Sequence, residues 1–177
     1  GPLYRKALAI HRESLGNEHP ETAALLNNLA ILLSRQGNYG NAKELLVEVL
    51  EIRRRVLGPE HPRIPRSMGA LAGVLSELED YEAAEALFRD ALALRRERLG
   101  EEHVEIAANL LNLSGVLQKK GDFESAESMC RDGLEMSRRI LGPNHPFVLG
   151  ALRLHAGILL EMGRREEAED RYREALD

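Results

Sequence analysis

The chain has no tryptophan, three phenylalanines, four tyrosines and one cysteine among its 177 residues. A lone cysteine, Cys130, cannot close an internal disulfide, so a disulfide scaffold is excluded. With so few aromatics, Leu and Ala must fill any core. No apolar run approaches the roughly 18 residues of a membrane span, and no basic-then-apolar leader opens the sequence. Excess positive charge is missing too: the formal net charge is −5, without the strongly basic footprint of a nucleic-acid binder. These absences lead us to expect a cytoplasmic protein that neither inserts into a membrane nor binds nucleic acid.

What the sequence does have is an internal repeat, the feature to be sought first in any chain. Leu15-Gly16-Asn17-Glu18-His19-Pro20 returns as Leu57-Gly58-Pro59-Glu60-His61-Pro62, as Leu99-Gly100-Glu101-Glu102-His103-Val104, and as Leu141-Gly142-Pro143-Asn144-His145-Pro146. The leucines at 15, 57, 99 and 141 fix a period of 42 without insertion. The chain then divides into a second helix of a preceding repeat (1–15), repeats at 16–57, 58–99 and 100–141, and an incomplete repeat at 142–177. Other columns keep the phase. Ala42, Ala84, Ala126 and Ala168 align, as do Ala30, Ala72, Ser114 and Ala156, and Leu8, Leu50, Leu92, Leu134 and Leu176. Gly37, Gly121 and Gly163 share a column in which Glu79 is the exception.

Each unit reads as two helices. Leu26, Leu29, Ala30 and Leu33 recur at helical spacing, and so do Ala42, Leu45, Leu46, Val49 and Leu50. Gly37 and Gly58 stand where those runs end, as glycine does past a helix C-terminus. Pro20 and Pro146 suit helix starts, whereas Pro62 and Pro65 together predict a start near Ile64 or Pro65. Glu79-Asp80 predicts a less relaxed turn than its glycine counterparts. The small columns let helix backbones approach closely. A single hairpin cannot bury its own apolar stripe, so the hairpins must stack. The expected fold is an all-α solenoid of stacked helix pairs.

The columns Leu26, Leu29, Ala30, Leu33, Gly37, Tyr39, Ala42, Leu46, Val49 and Leu50 resemble the tetratricopeptide repeat. The usual unit there is about 34 residues. The longer unit here, its Leu-Gly-x-x-His-Pro junction and Leu26-Asn27-Asn28-Leu29-Ala30 are similar to the kinesin light chain subfamily. The resemblance covers the whole chain. It implies a right-handed superhelix of antiparallel helix pairs, whose first helices line a concave groove and whose second helices are about two turns longer. Some tetratricopeptide domains clamp a chaperone's terminal carboxylate with Lys and Asn on successive first helices. The corresponding positions carry Asn27, Ile31, Ala70, Ala108 and Asn112, so that activity is not expected.

The residues offer little for catalysis. His19, His61, His103 and His145 recur once per unit, but stacked helices pack about 8–10 Å apart and zinc needs ligands at about 2 Å. They are read as fixing each junction and the start of the next helix. His155 falls in the core column of Leu29, Leu71 and Leu113 and is read as a packed, hydrogen-bonded residue. Cys130, in the column of Leu46, Phe88 and Tyr172, is read as a small buried hydrophobe. No glycine-rich phosphate loop or paired metal motif occurs. We therefore expect no enzyme, no cofactor and no metal.

The candidate site is the face of the first helices turned away from the core stripe. It comprises Asn27, Ile31, Ser34 and Arg35, then Arg66, Gly69, Gly73, Ser76 and Glu77. Leu111, Asn112, Gly115, Gln118 and Lys119 follow, and then Arg153 and Gly157. Gly73, Gly115 and Gly157 have no core role there and would let a partner backbone approach. Asn offers both donors and acceptors, and Arg can fork onto a carboxylate. With Arg35, Arg66, Lys119 and Arg153 against Glu77 and Glu161, the face is mildly basic and suited to a peptide or protein partner, including an acidic one. Alternative readings are a regulatory or sensor segment of a larger kinase or NTPase, and a scaffold that self-associates through uncapped solenoid ends.

Overall fold

A computed structural model describes Lys6, Glu13, Ser14, Gly16 and residues 18–176. Among the described residues there are eight helices and no strand: α1 (Pro20–Arg35), α2 (Tyr39–Leu57), α3 (Arg63–Glu77), α4 (Tyr81–Leu99), α5 (Val104–Lys120), α6 (Phe123–Leu141), α7 (Pro146–Glu161) and α8 (Arg165–Glu174). The second helix expected over 1–15 lies outside the described residues, Lys6, Glu13 and Ser14 apart. Each second helix is two to four residues longer than the first helix before it: α2, α4 and α6 have 19 residues each against 16, 15 and 17 for α1, α3 and α5. The chain forms two compact units, residues 1–87 and 88–177, with the division inside α4. In the first, α1 packs on α2 and α2 on α3; in the second, α5, α6, α7 and α8 pack in sequence.

Both small columns are fully buried: Ala30, Ala72, Ser114, Ala156, Ala42, Ala84, Ala126 and Ala168 are all 0% exposed. Around them Ala23, Leu26, Val49 and Ile52 close the core of the first unit. Leu92, Ile106, Ala107, Leu110 and Met136 form a cluster in the second. Burying a Leu or Ile side chain contributes about 1.5–3 kcal/mol, so these stripes dominate each unit's stability. Leu50, Leu92 and Leu134 are buried, but Leu176 of the same column is 81% exposed.

The turn inside each hairpin is the same in all four copies. The backbone N–H groups of Asn38, Asp80, Asp122 and Arg164 donate to the carbonyls of Leu33, Leu75, Leu117 and Leu159 at 2.9–3.0 Å. Such a turn needs one left-handed residue. Glycine supplies it at 37, 121 and 163, and Glu79 is forced into it at φ +63°. This is the less relaxed turn that the sequence predicts.

Three of the junction histidines, His19, His103 and His145, are N-caps, and His61 makes the same bond from one residue before Pro62, the N-cap of α3. Nδ1 of His19, His61, His103 and His145 accepts from the backbone N–H of Glu21, Arg63, Glu105 and Phe147 at 3.1–3.2 Å. α5 begins at Val104 without a proline, so the histidine, not the proline, is the common determinant. α3 starts at Arg63, just before the Ile64 or Pro65 expected from the two prolines. Pro65 is accommodated in the first turn, where no amide partner is lost.

Buried and half-buried polar side chains stitch second helices to the first helices that follow. Arg53 Nη1 donates to Ser67 Oγ at 2.6 Å. One period later Arg95 donates to Asn109, whose Nδ2 donates to the Phe88 carbonyl at 2.8 Å. His155 is buried as expected, its Nε2 lying 3.2 Å from Oε1 of buried Glu127. Burial holds the His155 imidazole below its ordinary 6.5, with Glu127 opposing and Arg171 and Arg131 adding to the shift.

Three outcomes follow from these features. Glu79→Gly should relieve the left-handed turn and stabilise the chain by about 0.5–1 kcal/mol, read as a higher midpoint in urea. His103→Ala removes a cap and should destabilise by about 1 kcal/mol, whereas His103→Asp should retain most of that, as thermal melts of the two would report. Because the folded state disfavours protonated His155, the unfolded chain binds more protons below pH 6.5, and stability must fall as pH drops through that window. His155→Leu, the residue of its column, should lose less stability than wild type between pH 7 and 5 in urea titrations. Glu127 would keep its pair with Arg131 at 3.0 Å in that variant.

Candidate functional site

The first-helix face of the first unit carries two cavities. One, of about 280 Å³, is lined by Ile31, Ser34 and Arg35 of α1, Tyr39 and Leu46 of α2, and Ala70, Gly73, Val74 and Glu77 of α3. Five of the sequence-selected residues, Ile31, Ser34, Arg35, Gly73 and Glu77, meet there. Its wall is largely apolar, and Ile31 is 42% exposed. Ser34 is a weak anchor because its hydroxyl already donates to the Ala30 carbonyl at 2.9 Å.

The second cavity, of about 220 Å³, lies toward the helix starts. Ala24, Asn27 and Asn28 of α1, Arg53 of α2, and Arg63 and Arg66 of α3 line it. The sequence selected Asn27 and Arg66 but missed Arg53, Arg63 and Asn28. The missed signal is a column: position 63 carries Arg where the units on either side carry Glu21 and Glu105. Burial lowers the proton affinity of the Arg53 guanidinium, and Arg63 and Arg66 lower it further.

In the second unit Asn112, Lys119 and Arg153 are exposed, and Gly115, Gln118 and Gly157 are half-buried. A Cβ on Gly73 or Gly115 would meet nothing within 4 Å, and one on Gly157 would meet only Gln118 Nε2 at 3.7 Å. These glycines therefore leave open surface rather than serve packing, and half-buried Gly69 lies one turn before Gly73 on α3. Glu77 and Lys119 are both engaged in polar contacts.

Two residues expected on this face belong to the core. Leu111 is 7% exposed, and its Cγ lies 2.9 Å from where a Cβ on Gly133 would stand. Gly133 occupies the column of Val49 and Ala91, and the space it leaves admits the bulky Leu111. Ser76 is likewise buried. Neither offers an open surface to a partner.

A third cavity, of about 310 Å³, lies in the second unit among α6, α7 and α8. Glu127, Arg131, Arg138, His155, Arg164, Glu167 and Arg171 line it. Its charges are matched: Arg131 pairs with Glu127, Arg164 with Glu167, and Arg138 and Arg171 with Glu174. Among the described residues no group of three His, Cys, Asp or Glu side chains could hold a metal ion, and no helix is long and apolar enough to cross a membrane. Cys130 is 0% exposed, its Sγ lies 3.9 Å from the Ala151 carbonyl, and burial pushes its thiol up to about 12. It packs as the small hydrophobe its column suggests.

A tetratricopeptide repeat family model matches residues 1–54, 23–97 and 105–177. No curated protein matches the sequence. Among solved structures, a kinesin light chain-type protein of Podosopora anserina with nearly identical TPR-like repeats superposes with a TM-score of 0.84 at 25% identity, over 98% of this chain and 82% of that one. BtubC (BKLC) from P. vanneervenii gives 0.83 at 21% identity over 97% and 71%. A Rap protein complexed with Competence and Sporulation Factor gives 0.77 at 20% identity over 89% and 42%. The stacked helix pairs, the repeated small columns and a family match along most of the chain show that it belongs to the tetratricopeptide repeat family.

Proposed function

We propose that the chain is a noncatalytic interaction module that binds an extended peptide segment along the first helices of residues 1–87. The observation that carries this reading is the pairing of an apolar cavity with a basic one on a single helix face. From Asn27 to Ser34, and from Arg66 to Gly73, the helices advance about 10 Å. An extended chain covers that distance in about three residues. The fitting ligand has an acidic group about three residues from an apolar side chain. Gly73 lines the apolar end, where a ligand backbone could approach. The Rap neighbour, complexed with a factor of its own, is a fold-level parallel only.

Residues Asn27, Ile31, Arg35, Arg66, Gly69, Gly73 and Glu77 form the proposed contact surface, with Asn112, Gly115, Gln118, Lys119, Arg153 and Gly157 as a second, separate face. Two variants test the reading against peptides with the acidic-to-apolar spacing. Gly73→Ala should raise stability by about 0.5–1 kcal/mol, since a helical glycine is replaced in open space. The same variant should weaken peptide affinity at least several-fold in fluorescence anisotropy. Arg66→Glu should weaken acidic peptides and leave neutral ones less affected. Affinity unchanged in both variants would remove the groove reading.

A further inference from the structure

We propose that the cavity formed by Arg53, Arg63, Arg66, Asn27 and Asn28 is a phosphoryl-binding site that takes a dianionic phosphate group. The comparison that carries it is internal. Arg53 and Arg95 occupy the same column, each reaching a polar residue on the next first helix, Ser67 or Asn109. Around Arg95 the charge is answered: Glu105 Oε2 lies 3.5 Å from its Nε. The position equivalent to Glu105 beside Arg53 is Arg63. A compensating carboxylate has been exchanged for a second cation.

The exchange is unfavourable on two further counts. Arg63 is the first residue of α3 and Arg66 lies in the same turn, and no acidic residue occurs in that turn. Cations at a helix N-terminus oppose the macrodipole, which favours anions there. Arg53 is only 8% exposed, so one of the three charges is largely withdrawn from water. No carboxylate lines the cavity. Three guanidinium groups and two side-chain amides therefore converge with nothing of opposite sign.

A single carboxylate would neutralise one of the three charges. A phosphate ester carries close to two charges and three terminal oxygens, which three guanidinium groups can fork. The cavity of about 220 Å³ has room for it. This inference sharpens the groove reading at one end of the first unit, but it needs no peptide to be tested.

The test is calorimetric titration of the full chain at constant ionic strength with inorganic phosphate, N-acetyl-phosphoserine amide and N-acetyl-glutamate amide. Both phosphates should bind saturably at one site, and the glutamate derivative should bind at least about tenfold more weakly. Tighter binding of the phosphoserine derivative than of inorganic phosphate would assign the site to a modified partner side chain, and the reverse order to the free ion. Affinity for the phosphoserine derivative should rise several-fold from pH 5 to 7 as the second proton leaves, near a pKa of about 6. Arg63→Glu and Arg66→Glu should each weaken binding at least about tenfold, while Arg98→Glu, exposed at the end of α4, should not. Without ligand, Arg63→Glu should raise the melting temperature, because it gives Arg53 the partner that Arg95 has. Absence of saturable phosphate binding, equal binding of glutamate, or equal loss in Arg98→Glu would each overturn the proposal. Phosphate binding without binding of the spaced peptides would leave this site standing and remove only the groove reading.

Discussion

A helical hairpin with an apolar stripe on both sides cannot satisfy itself, and everything else in this chain depends on that. The eight fully buried small residues are the mark of it. They bring helix backbones close enough for leucines to interdigitate across the seam, and a larger side chain in those columns would have no space to occupy. Because the constraint is local and repeated, it fixes the pitch of the sequence and little else. Positions outside the seam are free to vary, and the differences between units collect there.

The junctions show how the constraint is met with little aromatic mass. Each first helix starts where a histidine accepts a backbone amide, and each hairpin turns through one left-handed residue. These devices set helix direction before packing does. Where a unit departs from the pattern, a neighbour absorbs the change. Glu79 takes up a glycine conformation, and Gly133 makes space for Leu111. His155 enters a leucine column opposite a carboxylate, and that carboxylate is held in turn by Arg131.

The repeat period, the helix pairs, the caps at the junctions and the strained turn were legible in the sequence because each depends on one residue type recurring at one position. The candidate face was legible in part. Helical spacing selected Ile31, Arg35, Gly73, Asn27 and Arg66, which do gather around two cavities. It placed Leu111 and Ser76 wrongly, because whether a borderline position is covered depends on the size of a residue on another helix. It missed Arg53 and Arg63 for a related reason. Arg53 sits on a second helix, inside the core stripe, and only the packed structure brings it beside the start of α3. Periodicity within one helix says nothing about charge balance between two.

That balance separates an ordinary junction from a potential site. At Arg95 the half-buried guanidinium, the Asn109 amide and the Glu105 carboxylate form a closed set. A closed set contributes order and offers nothing to a ligand. At Arg53 the same scaffold is kept, with Ser67 still accepting the guanidinium, but the carboxylate is replaced by like charge. Stability alone would favour the closed arrangement, since cations at a helix N-terminus and near a buried arginine are unfavourable neighbours. Local instability of this kind is tolerated in folded proteins chiefly where it serves binding or chemistry. The stacked small columns make that tolerance possible, because a seam held by apolar packing can carry one unbalanced junction without losing its fold.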